Sequence, residues 1–187
     1  MQALAKRIAG LKPHLRSTER GFSLLELVVV VVIIAFLMVI AISRLLALQV
    51  DAERVAMESV LGTLRSAIGM KVAHHIVQND IRGLRSLVGS NPMDRLAETP
   101  HNYLGALNGV DPLSLEDGNW YYDQSGRALV YLVRNKTYFS GGRPQPPSAR
   151  FALELVFADR NGNGRFDRRD EIEGLRLNAL EHYAWTN

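Results

Sequence analysis

One stretch constrains the whole chain: RGFSLLELVVVVVIIAFLMVIAISR, residues 20–44. Between residues 24 and 42 the only ionisable side chain is Glu26. A helix over those 19 residues would span roughly 28 Å at 1.5 Å per residue, close to a bilayer core of about 30 Å. The many Val and Ile residues suit a buried strand too. Length decides for a helix, because strands rarely pass about ten residues. Ser43 and Arg44 end the run. The reading is a single transmembrane helix.

Charge gives that helix a direction. Residues 1–21 carry Lys6, Arg7, Lys12, Arg16 and Arg20 against Glu19, a net of +4, while the rest of the chain sums to −1. The pI near 9.4 therefore belongs to the opening segment. No stripe of interleaved basic and aromatic residues follows, so no nucleic-acid partner is expected. Basic flanks stay on the cytoplasmic side, which leaves the C-terminal portion across the membrane. A secretory signal would place a small-residue cleavage site after the apolar run. Ala41-Ile42-Ser43 matches that poorly, and the better break, Gly21-Phe22, comes before the run. The chain has no cysteine, which excludes disulfides, thiolate metal sites and a Cys nucleophile.

With these residues in view, GFSLLELVVVVVIIAFLMVIAI resembles the N-terminus of type IV pilins and type II secretion pseudopilins. Gly21, Phe22 and Glu26 match the motif of that family one by one. The resemblance implies cleavage between Gly21 and Phe22 by a prepilin peptidase, then N-methylation of Phe22. It implies an inner-membrane subunit with a cytoplasmic N-terminus and a periplasmic C-terminal domain. It also implies assembly with other pilin or pseudopilin subunits into a pilus or pseudopilus. Residues 43–67, SRLLALQVDAERVAMESVLGTLRSA, are similar to the same region of mannose-sensitive haemagglutinin-type pilins. Family members usually have Pro where this chain has Ser43, which removes an expected kink.

Glu26 needs a reason to be there. A carboxylate at the centre of a membrane helix costs roughly 2.5–3.5 kcal/mol, and less near an interface. Cleavage after Gly21 would create a positive amine on Phe22. Paired with Glu26 in a packed, low-dielectric filament core, that amine would offset the cost and set axial register.

Helical periodicity continues beyond the membrane run. Met57, Leu61, Leu64, Ile68, Val72 and Ile76 recur at steps of three or four. Asp51, Glu53, Arg54, Glu58, Arg65 and Lys71 fall on other faces. One helix is expected from near Phe22 to near Asn79. Residues 22–50 form its transmembrane and filament-core half, and residues 51–79 its amphipathic half. Gly62 and Gly69 each cost about 1 kcal/mol relative to Ala there, for bending or close packing. Adjacent His74 and His75 point apart and make no metal pair.

Residues 80–187 read as a globular head. Residues 80–118 are rich in Gly, Asn, Pro and Asp and predict a loop-rich connection with short helical turns. NWYYD and ALVYLVR flank Gln124-Ser125-Gly126-Arg127, a hairpin signal. GGRPQPPS, residues 141–148, reads as irregular loop. RFALELVFA, residues 150–158, alternates as a strand, and a last strand lies in LRLNALEHYAW. The expected fold is α+β: one long N-terminal helix packed on a roughly four-stranded antiparallel sheet.

DRNGNGRFDRRDE, residues 159–171, resembles a calcium loop of the EF-hand or dockerin type. Such loops place oxygen ligands at positions 1, 3, 5, 7, 9 and 12 with Gly at 6. Here those are Asp159, Asn161, Asn163, the Arg165 carbonyl, Asp167 and Asp170, with Gly164 at the turn. Four arginines in the loop dilute its negative field. Two Asn-Gly pairs are also turn signals in their own right, so a plain hairpin loop is the alternative. A bound Ca2+ would be structural, a clip in a head without disulfides.

No nucleophile elbow, phosphate loop or histidine pair is present, and an enzyme is not expected. The expected function is a structural filament subunit. The alternative is a single-pass, membrane-anchored calcium-binding protein that does not polymerise.

Overall fold

The computed structural model describes residues 22–167 and 170–186. Residues 1–21, the expected basic leader, lie outside the described residues. The chain divides into two compact units, Met1–Ser43 and Arg44–Asn187.

Helix α1 covers Leu24–Val77. Its start agrees with local capping chemistry: the Glu26 N–H donates to Ser23 Oγ at 3.1 Å. Ser23 and Glu26 thus stand as the first and last residues of an S-x-x-E capping signature. At Ser43, where a proline was the family expectation, the hydroxyl donates to the Val39 carbonyl at 3.0 Å and the helix runs on. Its end is also chemical. Asn79 takes a left-handed φ of 53°. Asn79 N–H then donates to the Ile76 carbonyl at 3.0 Å and Asp80 N–H to the His75 carbonyl at 2.9 Å. That pair of bonds is a Schellman closure with Asn in the position glycine usually takes.

Every described residue of the first unit is exposed. In the second unit, α1 buries Val50, Met57, Leu61, Leu64, Ala67, Ile68 and Val72. This is the expected stripe with two corrections. Ile76 is exposed, at 48%. Val50, assigned above to the free half, is buried at 3% exposure, so burial begins about two turns before Met57.

Asp80 caps α2, Ile81–Ser86: its Oδ1 accepts the Gly83 N–H at 2.8 Å. Its Oδ2 lies 3.0 Å from His75 Nδ1. The Gly83 N–H first, and the His75 contact after it, hold the Asp80 carboxyl below its ordinary pKa. Short 3₁₀ turns at Pro92–Arg95 and Pro112–Ser114 follow, each opened by an Asn or Asp side chain.

The main sheet has six strands rather than about four. They are β1 Tyr103–Leu107, β2 Trp120–Asp123, β3 Ala128–Leu132, β5 Arg143–Pro144, β6 Pro147–Ala158 and β7 Glu171–Ala179. β1 runs parallel to β2, and the other pairs are antiparallel. Residues 108–119 supply the dozen-residue crossover that a parallel pair requires. The predicted hairpin is present: Asp123 pairs with Ala128 across residues 124–127. Two strands occupy the segment read as irregular. β5 pairs with β6 at Arg143↔Ser148 and Pro144↔Pro147. Proline is tolerated at such an edge, where no ladder donor is needed. β4, Phe139–Gly141, pairs with β8, Tyr183–Trp185, as a second two-stranded sheet. The single last strand of the sequence reading is therefore two, β7 and β8, in different sheets.

β3 is buried along its whole length because both of its faces are covered. Leu129 and Tyr131 join the main core with Met57, Leu61, Leu64, Trp120 and Phe151. Val130 and Leu132 face the other way with Tyr121, under Leu107 of β1 and Leu115 of the crossover. Burying one Leu fully is worth about 1.5–3 kcal/mol, so the helix stripe and this central strand dominate the stability of the unit.

Candidate functional site

Two sets of residues were singled out, and a third emerges only from the structure. The first is the N-terminal motif. Phe22 is 68% exposed and directly precedes the capped helix start, and Glu26 sits in the first turn. That placement gives the carboxylate a second reason to be tolerated. The first turn of a helix carries unpaired N–H groups and the positive end of the macrodipole. Gly21, the other half of the expected cleavage site, lies outside the described residues. Among the described residues one helix is long and apolar enough to cross a membrane, and its most apolar window buries none of its side chains.

The second set is the loop between β6 and β7. Asp159 Oδ1 accepts the N–H groups of Asn161 at 3.2 Å and Gly162 at 2.7 Å, and its Oδ2 accepts the Gly164 N–H at 2.7 Å. The Gly164 N–H, more than any other group, holds the Asp159 carboxyl below its ordinary pKa. Gly162 and Gly164 have φ of 72° and 71°, the left-handed conformation that a chain curling around its first residue requires. Asn161 Oδ1 accepts the Asn163 N–H at 3.0 Å, and Asn163 Oδ1 accepts the Arg165 N–H at 2.7 Å. Both Asn amides turn their nitrogens to Asp167 Oδ2. Asp170 closes the circle, accepting from Arg160 N–H at 3.1 Å and Asp167 N–H at 2.7 Å.

The structure thus brings Asp159, Asn161, Asn163, Asp167 and Asp170 into one network. Arg165 joins it through its N–H; a ligand role for its carbonyl remains an expectation. The donor set is all oxygen, the chemistry a hard cation takes. The two amide nitrogens occupy Asp167 Oδ2, so a cation there would have to displace them. Among the described residues no group of three or more His, Asp or Glu side chains converges as a metal cluster. Phe166 anchors the loop to the head. Its ring meets Phe157 edge-on at 5.4 Å between centroids, and the Arg85 guanidinium lies 4.5 Å over its face.

The third set centres on Glu53, which the sequence reading placed only on a charged face. Its Oε1 accepts the Tyr131 hydroxyl at 2.9 Å and the Arg134 N–H at 2.7 Å. Its Oε2 accepts the Asn135 N–H at 2.9 Å and the Asn135 Nδ2 at 2.6 Å. No local signal could have found it, because the partners lie 78 to 82 residues away.

A model of the prokaryotic N-terminal methylation motif matches residues 16–42. The match covers the leader end, Gly21, Phe22, Glu26 and the apolar run, and it supports the type IV pilin and pseudopilin class of structural subunits. No curated protein and no solved structure matches the chain.

Proposed function

We propose that this chain is a pilin or pseudopilin, a non-catalytic subunit that polymerises through the exposed half of α1. The observation that carries the reading is the methylation motif heading a helix whose first half, up to Gln49, exposes its apolar side chains among the described residues. An apolar surface of that length must be covered, first by lipid and then by other copies. A prepilin peptidase would cut between Gly21 and Phe22, and the new Phe22 amine would meet Glu26 of its own or a neighbouring chain. The subunit would sit in the inner membrane with a cytoplasmic leader and a periplasmic head before assembly. The haemagglutinin-type subclass rests on the likeness of residues 43–67 alone.

Mass spectrometry of the purified mature chain tests this. The expected N-terminus is N-methyl-Phe22. An intact Met1 would contradict the reading and favour a membrane-anchored protein that does not polymerise.

Calcium in the β6–β7 loop is a second reading, favoured by five side chains that present oxygen to one turn. Asp159, Asn161, Asn163, Asp167 and Asp170, with the Arg165 carbonyl, would hold the ion. Its role would be structural, replacing amide-to-carboxylate hydrogen bonds with stronger ion contacts.

A further inference from the structure

We propose that Glu53 is a latch that fixes the rotation of the Arg44–Ala56 turns of α1 on the head. The hydrophobic stripe from Met57 to Val72 alone leaves these N-terminal turns loose. Between Arg44 and Ala56 the only buried side chain is Val50. Leu45, Leu46, Leu48 and Val55 in the same stretch are exposed, at 50–62%. With one small buried anchor, apolar burial does not choose one face of these turns over another. Glu53 does.

The choice is directional because all four groups facing the carboxylate are donors. Two are the consecutive backbone N–H groups of Arg134 and Asn135, which cannot be rotated away. A third is the Tyr131 hydroxyl, rooted in a core residue at 4% exposure. Burial first, and the neighbouring Glu53 second, push the Tyr131 pKa up, so it stays a donor. An ionised carboxylate accepts at both oxygens and donates at neither, so it alone among side chains of this size satisfies the set. Charge-assisted bonds of this kind are about twice as strong as neutral ones.

The latch also organises the turn after β3. Asn135 stands at the N-cap of the 3₁₀ turn Lys136–Tyr138 without a side-chain cap bond of its own, and its side chain is committed to Glu53 instead. Beyond that turn lies β4. The face that the latch turns outward carries Leu45, Leu48 and Val55. That this face meets neighbouring copies rests on the filament reading; the latch itself does not.

Hydrogen exchange on the full chain in detergent tests it. In Glu53→Gln, which keeps the volume but sets an NH₂ against an N–H, the amides of Arg134 and Asn135 should exchange at least ten-fold faster. Those of Leu129 and Leu132 in β3 should keep their rates. Tyr131→Phe removes one donor without disturbing the carboxylate, and should give a smaller acceleration at the same two amides. Unchanged exchange at Arg134 and Asn135 in both variants would overturn the latch. An equal acceleration across all of β3 would also overturn it, by reducing Glu53 to a general contributor to stability. Both outcomes leave the processing of Phe22 untouched and so do not bear on the filament reading.

Discussion

The two halves of α1 belong to one continuous helix and do opposite things. From Leu24 to Gln49 every side chain is exposed, although nearly all are apolar. From Val50 to Val77 the helix is more polar, yet seven of its side chains are buried. Hydrophobicity alone therefore does not say where a helix is packed. Spacing does: an apolar residue every three or four positions meets a sheet, and an apolar residue at every position cannot. The half that is apolar all round needs an environment that is apolar all round, a membrane or a bundle of identical helices.

Core truncation should break the symmetry of these halves most strongly. Leu64→Ala, at a fully buried position, should cost the head about 2–5 kcal/mol, measured by chemical denaturation. Leu37→Ala, at 57% exposure, should leave head stability within about 0.5 kcal/mol. Similar losses at both positions would erase the distinction.

Calcium sharpens it next, because the loop belongs to the head. At a hundred-fold excess over its dissociation constant, one bound ion adds about 2.7 kcal/mol. A chelator should then lower the head's melting temperature by roughly 5–10 °C. No shift on chelation would leave the loop a plain Asn-Gly hairpin.

The smallest effect comes from within the packed half. A Cβ added at Gly62 or Gly69 would meet nothing within 4 Å. Close packing, one of the two roles expected of these glycines beside bending, is therefore not found among the described residues. Gly62→Ala should stabilise the head by about 1 kcal/mol, read from the denaturation midpoint. A loss instead would mean that something packs against this face.

Much of this was legible in order along the chain. The motif at Gly21, Phe22 and Glu26, the stripe from Met57 to Val72 and the Gln124–Arg127 hairpin are all local patterns. Pattern and chemistry there point the same way. What was missed is non-local. β1 hides in a Gly- and Asn-rich segment and is a strand because β2 lies beside it in parallel. β5 contains Pro144, one of the three prolines that argued against it, and survives because it is an edge. The 175–185 segment splits because Tyr183 stacks on Phe139 and Trp185 meets it edge-on rather than continuing along β6. Glu53 shows the limit most clearly: as one of six charges on the amphipathic half of α1, it differs from Glu58 only in what lies across from it.

Because the chain has no cysteine, single cysteines can report contacts between copies without background. The central claim is that the exposed half of α1 meets other copies and the packed half does not. Cysteines placed one at a time from Val31 to Val39, and at Ile68, should be oxidised in cells that process the chain. The account predicts disulfide dimers from at least one position in the first set and none from Ile68→Cys, which is 3% exposed. Processed protein with no dimer at any position from 31 to 39 would contradict it.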